Sequence, residues 1–213
     1  MDSKIWKVLS RLEEQANLER SGESTVPHDD RMLAITADTG MFFNIILRAM
    51  KARKILEIGT STGYSTLWFA DAIKHNLNDT IRKPIITIDE NTSKVQRANK
   101  NFTEGGVKNI IDIREGQAKS ILSKMLKNQN NKNDNDLFDF VFIDADKENT
   151  IDYFDMCLPM VKVGGIIAVD NMLLPEHFAS EMTKYANYVR AKPNVQTVTV
   201  PVGNGEEITI KTS

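Results

Sequence analysis

The chain has 213 residues, 41% of them hydrophobic and 26% charged, which is the composition of an ordinary globular protein. A formal net charge of −2 argues against a general attraction to nucleic acids or anionic membranes. The single cysteine, Cys157, excludes a disulfide framework within the chain and favours a cytoplasmic location. No apolar run is long enough to cross a bilayer. We expect one domain over residues 1–213, with an N-terminal helix and loop over 1–31 and a core over 32–213.

Two helical patterns precede the first predicted strand. Apolar residues recur at helical spacing near the N-terminus, at Ile5, Val8, Leu9, Leu12 and Ala16. A second pattern runs from about Asp38 to Met50, and Asp38 is placed to accept hydrogen bonds from the first-turn amides.

After Lys54 the pattern changes to short apolar runs separated by helical segments, which predicts a parallel sheet covered by helices on both faces. The five runs span residues 55–58, 85–88, 110–113, 138–143 and 166–169. Residues 195–200 and 206–211 flank the turn sequence GNG at 203–205 and predict an antiparallel hairpin at the sheet edge. The fold class is therefore α/β, with a seven-stranded, mostly parallel sheet. The polar stretch 127–136 (KNQNNKNDND) is interpreted as a solvated loop.

A glycine turn follows the first predicted strand, where Gly59 and Gly63 permit a sharp bend beside a ligand. The turn is not a dinucleotide-binding fingerprint, because Ser61 and Tyr64 stand where that fingerprint requires glycine. The sequence GTSTG also matches the nucleophile elbow of serine hydrolases. A hydrolase using Ser61 would need a downstream acid and a histidine such as His177, and this alternative stays open.

Polar residues at the predicted strand ends favour a third interpretation, a site for S-adenosylmethionine. Ligands of open parallel sheets bind at the carboxyl ends of the strands. Glu57 lies near the end of the first strand, and Asp89 ends the second, where a carboxylate can accept hydrogen bonds from both ribose hydroxyls. Ser65 can bind the methionine carboxylate at a helix N-terminus. Gln117 and Ala118 follow the third strand, where the adenine would lie.

Oxygen-bearing side chains also follow the fourth and fifth predicted strands. Asp144 ends the fourth strand, and Asp170 with Asn171 ends the fifth. Two carboxylates and an amide oxygen form a hard donor set that suits Mg²⁺, Mn²⁺ or Ca²⁺. The alternative is that these residues cap helices or pair with Lys147. Because the three stand at adjacent strand ends, we favour the metal site.

Three segments carry a family resemblance: residues 56–65 (LEIGTSTGYS), 142–149 (FIDADKEN) and 164–171 (GGIIAVDN). They are similar, in that order, to the cofactor motif, the metal and catalytic motif and the second metal motif of the class I, cation-dependent O-methyltransferases. That family includes the caffeoyl-CoA and catechol O-methyltransferases. The resemblance runs from about Met32 to the C-terminus and implies a Rossmann-like, seven-stranded methyltransferase fold.

The resemblance implies roles for individual residues. Lys147 would be the catalytic base. Asp144, Asp170 and Asn171 would bind the divalent cation, with Mg²⁺ expected ahead of Mn²⁺ or Ca²⁺. The residues implied in binding S-adenosylmethionine are Ile35, Thr36, Glu57, Gly59, Thr60, Ser65, Asp89, Gln117, Ala118 and Asp144.

The methyl acceptor is left open by two departures from the family pattern. Many family members have Asp-Glu-Gly where this chain has DTG at 38–40, and residues 172–177 (MLLPEH) lack the tryptophan common in the plant enzymes. The expected acceptor is a small molecule with catechol-like or vicinal hydroxyls. A hydroxylated base of transfer RNA is the open alternative. The resemblance also implies a homodimer.

Overall fold

The sheet is the centre of the protein in a computed structural model that describes residues 2–74, 76, 83–128 and 136–213. In chain order its strands are β1 (Ile55–Ile58), β2 (Ile85–Asp89), β3 (Ile111–Glu115), β4 (Phe138–Ile143), β5 (Val161–Val169), β6 (Val195–Val200) and β7 (Glu206–Lys211). Across the sheet they follow the order β3-β2-β1-β4-β5-β7-β6. The first five strands pair in parallel, while β7 pairs antiparallel with both β5 and β6. The predicted α/β fold with its terminal hairpin is confirmed.

Helices precede, connect and cover the strands. Their bounds are α1 (Ser3–Ser21), α2 (Ala37–Ala49), α3 (Tyr64–Lys74), α4 (Thr92–Glu104), α5 (Ala118–Lys127), α6 (Thr150–Cys157) and α7 (Ala179–Arg190). One buried apolar cluster joins residues of α1 to α4 to one face of the sheet, and a second joins residues of α5 to α7 to the other face. The apolar residues that predicted α1 are all buried in the first cluster.

The strand order places a crevice between β1 and β4. β2 and β3 extend the sheet on one side of β1, whereas β4 and β5 extend it on the other. Ile58 and Ile143 are register partners, so both strands end at the same level. The helix that follows β1, α3, and the helix that follows β4, α6, pack on opposite faces of the sheet, and open α/β sheets bind their ligands at such a point.

Some boundaries differ from the sequence-based expectation. β5 begins at Val161 and not at Ile166, because its first half is partly exposed and carries no continuous apolar signal. Thr36, and not Asp38, caps α2 by accepting a hydrogen bond from the Thr39 amide. Of the predicted polar loop, residues 129–135 lie outside the described residues. None of the described helices is long and apolar enough to cross a membrane.

Candidate active site

The glycine turn after β1 lies directly against the end of β4. Gly59 has a φ of 101°, and a Cβ atom there would lie 1.9 Å from the Asp144 carbonyl oxygen. Glycine is therefore required on two counts, the left-handed backbone and the absence of a side chain. Ser61 follows with a φ of 45°, and its backbone N–H donates to Asp89 Oδ2 at 2.7 Å. The turn thus connects the carboxyl ends of β1, β2 and β4.

Glu57 is fully buried behind this turn and does not line a cavity. Its Oε1 accepts from the Ser65 hydroxyl at 2.6 Å, and its Oε2 accepts from the hydroxyls of Thr66 and Thr87, each at 2.5 Å. Burial raises the pKa of Glu57 from 4.5 to about 7, against the opposing effect of these hydrogen bonds. Contact between Glu57 and a cofactor stays a prediction, and the geometry gives Glu57 the task of holding Ser65 and Thr66 in place.

Asp89 lines the crevice at the end of β2. Its Oδ1 accepts from the Asn91 amide at 2.9 Å, and its Oδ2 accepts from the Ser61 amide. Asn91, and not Asp89, caps α4 by accepting from the Lys94 amide at 3.0 Å. Both carboxylate oxygens of Asp89 therefore bind backbone amides next to the cavity, while the cap of α4 is supplied by another residue.

A cavity of about 1020 Å³ opens at the carboxyl ends of the parallel strands. The predicted site residues on its wall are Ile35, Thr36, Gly59, Thr60, Ser65, Asp89, Gln117, Ala118, Asp144, Lys147 and Asn171. Glu57 and Asp170 lie behind this wall. A smaller cavity of about 610 Å³, beside Leu158 and Lys211, contains none of the predicted site residues. The fold therefore brings the site residues predicted from the sequence together at one place.

The segment 32–36 covers one side of the large cavity and is tied down at both ends. The amides of Met32 and Leu33 donate to the two carboxylate oxygens of Glu19 in α1, at 3.0 and 3.2 Å. The Ser61 hydroxyl donates to the Met32 carbonyl oxygen at 2.6 Å. Thr36, at the other end, caps α2. This segment is thereby fixed relative to the glycine turn.

The serine-hydrolase alternative finds no support in the geometry of Ser61. The Ser61 hydroxyl donates to the Met32 carbonyl oxygen, and no histidine in the described ranges is hydrogen-bonded to that hydroxyl. His177 lines the same cavity from the short 3₁₀ helix that precedes α7. A serine nucleophile must lie within hydrogen-bond distance of its general base, and in the described ranges Ser61 has no histidine at that distance.

The end of β4 carries an ion pair on the cavity wall. Asp144 follows the last residue of β4, and Lys147 lies one turn later in a short 3₁₀ helix. Lys147 Nζ lies 2.9 Å from Asp144 Oδ1, and its side chain is only 5% exposed. A buried ammonium that is paired on one side and faces a cavity on the other can exchange a proton with a bound hydroxyl.

The end of β5 places Asp170 and Asn171 next to this pair. Asp170 is 2% exposed, and its Oδ1 accepts from the Asn171 amide at 2.7 Å. Asn171 has a φ of 67°, a left-handed conformation that asparagine tolerates better than most residues. Burial and the negative charge of Asp144 raise the pKa of Asp170 from 3.8 to about 7. The charge of Lys147 opposes this shift in pKa only in part, so Asp170 holds a proton more readily than an exposed aspartate does.

The donors at these two strand ends fit a divalent cation by their chemistry. No group of three or more His, Cys, Asp or Glu in the described part of the chain is arranged to hold a metal ion. A site here would rest on the carboxylates of Asp144 and Asp170 and the amide of Asn171. All are hard oxygen donors, and the poorly compensated burial of Asp170 is what a bound cation would relieve.

Sequence reasoning missed two groups of residues near the site. Arg20 and His28 reach the cavity wall from outside the sheet, so the rule of strand ends gives no signal for them. Tyr64 is buried, lines the cavity and donates from its hydroxyl to Glu13 Oε2 at 2.5 Å. Glu206 was assigned only to an edge hairpin. It is fully buried beside Asp170, and its burial together with that neighbouring charge raises its pKa to about 11.

Sequence comparison finds similarity over almost the whole chain. The family model described as O-methyltransferase matches residues 9–212. A caffeoyl-CoA O-methyltransferase of Petroselinum crispum is 33% identical over 198 residues, covering 86% of this chain and 78% of that protein. Caffeoyl-CoA O-methyltransferase 5 of Nicotiana tabacum is 31% identical over 207 residues, covering 90% of this chain and 82% of that protein.

Comparison with solved structures finds the same architecture. An O-methyltransferase from Bacillus cereus in complex with SAH superposes with a TM-score of 0.76 at 26% identity, covering 100% of this chain and 92% of that one. The O-methyltransferase TomG from Streptomyces achromogenes, involved in tomaymycin synthesis and solved with SAM, gives a TM-score of 0.77 at 25% identity. That match covers 97% of this chain and 90% of that one.

Proposed function

Since the chain belongs to the O-methyltransferase family and is an S-adenosylmethionine-dependent O-methyltransferase of the caffeoyl-CoA type, we propose that its methyl transfer depends on a divalent cation. The proposed acceptor is a hydroxyl of a catechol-like or vicinal-diol small molecule, and the proposed assembly is a homodimer. The observation that carries the proposal is the Lys147–Asp144 ion pair on the cavity wall beside the buried Asp170 and Asn171.

The proposed cofactor site is the part of the cavity between the glycine turn and α5. Asp89 would accept from the ribose hydroxyls, and Gln117 and Ala118 would contact the adenine. Ile35, Thr36, Gly59, Thr60, Ser65 and Asp144 would complete the contacts. Glu57 would support this site from behind, because its oxygens already accept from Ser65 and Thr66. The approximate volume of 1020 Å³ leaves room for an acceptor beside the cofactor.

The proposed cation would be held by Asp144, Asp170 and Asn171, with Mg²⁺ favoured and Mn²⁺ or Ca²⁺ as alternatives. When bound, a divalent cation lowers the pKa of a hydroxyl that it contacts and orients two neighbouring oxygens of an acceptor. The three donors lie at the ends of β4 and β5, so the sheet itself fixes their separation.

With its Nζ atom as a neutral amine, Lys147 would take the proton of the reacting hydroxyl as the acceptor oxygen forms its bond to the methyl carbon and the carbon–sulfur bond breaks, and the resulting ammonium would pair with Asp144. Asp144 holds Nζ at 2.9 Å and so fixes the position from which the proton is accepted. Because Lys147 is buried, water competes poorly for that position. Most of the rate acceleration would come from holding two partners in line, which is worth about 7–11 kcal/mol in favourable cases.

The test is methyl transfer from S-adenosylmethionine to a panel of catechols, measured with Mg²⁺ and with a chelator. We expect transfer with Mg²⁺, its loss with the chelator, and a fall of at least about 100-fold in kcat for Lys147→Ala, the usual scale of general acid–base catalysis. Lys147→Ala and Asp170→Ala should still bind SAH, which separates lost chemistry from lost folding.

Transfer that persists undiminished in the chelator would contradict the proposed cation dependence. If no catechol reacts while SAH still binds, the proposed acceptor class is wrong, and hydroxylated bases of transfer RNA become the next substrates to assay. The exposed Lys124→Ala is a suitable control, because it removes a lysine from the far end of α5 without touching the cavity.

A further inference from the structure

Glu206, the first residue of β7, is buried without a conventional hydrogen-bond partner. Its exposed fraction is 0%, and no amide, hydroxyl or cationic side chain of the described residues donates to either carboxyl oxygen in good geometry. The groups that act on it are the carboxyls of Asp170 and Asp144 and the hydroxyl of Thr39. A carboxyl removed from water and placed among other carboxyls is unfavourable in the folded state. Such a group calls for a functional explanation.

The next residue, Glu207, shows that a buried acid in β7 can have hydrogen-bond donors for its carboxyl oxygens. Glu207 is also 0% exposed, but it accepts from the Thr197 hydroxyl at 2.8 Å, from the Thr199 hydroxyl and from Arg190 at 3.5 Å. Successive side chains of a strand point to opposite faces of the sheet. The paired glutamate therefore faces β6 and α7, while Glu206 faces the catalytic side.

The strand pairing explains why Glu206 meets Asp170. Val169 and Glu207 are register partners of the antiparallel β5 and β7, so the residues just beyond this pair, Asp170 and Glu206, lie side by side. The loop after Asp170 is fastened to the same turn, since the Met172 amide donates to the Gly205 carbonyl at 3.0 Å. The two acids are thus held together by the backbone.

We infer that Glu206 is a positioning residue of the cation site, which fixes the orientation of the Asp170 carboxyl from behind the cavity wall. This inference rests on the proposed cation dependence. The strand register places Glu206 beside Asp170, so Glu206 would act through that carboxyl, while the donors proposed to touch the cation are the residues that follow β4 and β5. Groups that orient metal ligands from outside the coordination sphere contribute strongly to metal affinity.

The charges in this region agree with that role. Asp144, Asp170 and Glu206 lie close together, and the Lys147 ammonium pairs with Asp144 and acts on Asp170. A divalent cation would offset the excess of acidic groups, whereas an apolar residue in place of Glu206 would remove the polar side chain beside Asp170 and leave the Asn171 amide as the hydrogen-bond donor that orients it. Retaining an acid here lowers the stability of the metal-free protein and favours the metal-bound one.

The experiment is a Mn²⁺ titration of the whole purified chain, followed by electron paramagnetic resonance, for wild type, Glu206→Leu and Glu206→Gln. Glu206→Leu should raise the Kd for Mn²⁺ by about 10- to 100-fold, whereas Glu206→Gln, which keeps a hydrogen-bonding group beside Asp170, should stay within about threefold. Glu206→Leu should also raise the Tm without metal, because it removes a buried carboxyl that lies among other carboxyls. Glu207→Gln is the control and should leave the Kd for Mn²⁺ unchanged.

Binding of SAH by each variant verifies that the fold is intact. If Glu206→Leu binds Mn²⁺ as wild type does, the positioning role is overturned while the proposed cation dependence stands. If Glu206→Gln is as weak as Glu206→Leu, hydrogen bonding to Asp170 is not the means of action and the inference is likewise overturned. If wild type itself binds no Mn²⁺, the proposed cation dependence fails and the inference fails with it.

Discussion

Glu57 illustrates how a single buried side chain can support the site from behind the cavity wall. Three hydroxyls donate to it, and two of them belong to Ser65 and Thr66 at the start of α3. It therefore joins β1, β2 and α3 at the point where the cofactor is proposed to bind. The arrangement holds whether or not the carboxyl carries a proton, because a hydroxyl can donate or accept.

The raised pKa of Glu57 predicts how stability varies with pH. Because the folded-state pKa, about 7, lies above the ordinary 4.5, the folded protein holds this proton more tightly than the unfolded chain does. The stability that this proton contributes is complete below pH 4.5 and is lost as the pH rises through 7. Between pH 5 and pH 8, wild type should lose about 2–3 kcal/mol of unfolding free energy relative to Glu57→Gln.

Urea denaturation of both proteins across that pH range measures the difference directly. The exposed Glu14→Gln serves as the control and should follow wild type. Since other buried acids affect both proteins alike, only the difference between wild type and Glu57→Gln reports on this residue. Parallel stability curves for the two proteins would show that Glu57 does not hold a proton in the folded state.

At the scale of elements, the segment 32–36 depends on α1 for its position. Glu19 sits in the last turn of α1 and accepts from the amides of Met32 and Leu33. Glu19→Ala removes both hydrogen bonds, each to a charged acceptor and worth about 1.5–3 kcal/mol. We expect the Kd for SAH to rise about tenfold, the equivalent of 1.4 kcal/mol, because the segment must then be ordered on binding.

Calorimetric titration with SAH gives the Kd, and hydrogen exchange shows whether the amides of 32–36 lose protection. Glu23→Ala is the matched control, an exposed glutamate just beyond the end of the same helix. An unchanged Kd for SAH together with increased exchange in 32–36 would mean that this segment does not contribute to cofactor binding.

The bounds of a strand could be predicted from the sequence where buried residues follow one another without a break, and less well where exposed residues interrupt them. The runs 55–58 and 138–143 are buried at every position and match β1 and β4 residue for residue. β5 begins five residues earlier than its apolar run, in a stretch where Val163 and Gly164 are exposed. Pairing with β4 and β7 extends such a strand through backbone hydrogen bonds, and these leave no pattern in side-chain hydrophobicity.

For the molecule as a whole, the rule that ligands bind at the carboxyl ends of parallel strands located most of the site. Asp89, Asp144 and Asn171 were predicted in this way and lie on one cavity wall. The rule could not find Glu206, because β7 runs antiparallel and brings the start of a strand, not its end, to the catalytic edge. The same rule could not find Arg20, which reaches the cavity because α1 packs against one face of the sheet. Both depend on contacts between distant parts of the chain.

The stability of the whole protein should depend on the cation through Asp170. Asp170→Asn removes a buried carboxyl that faces Asp144 and Glu206, so the metal-free variant should have a higher Tm than metal-free wild type. Mn²⁺ at about 100 times its Kd should stabilise wild type by about 2.7 kcal/mol. For a chain of this size that corresponds to a rise in Tm of about 5–10 °C.

Differential scanning calorimetry with a chelator measures the effect of Asp170→Asn on the Tm without metal, and the same measurement with Mn²⁺ gives the rise in Tm on metal binding. Asp170→Asn should show only a small rise with Mn²⁺, so the order of the two Tm values should reverse when the metal is added. Glu104→Gln, an exposed acid on α4 that pairs with Arg11 far from the cavity, should keep the wild-type response. A Mn²⁺-induced rise as large in Asp170→Asn as in wild type would remove Asp170 from the cation site, because a ligand stabilises a fold only through the groups that bind it.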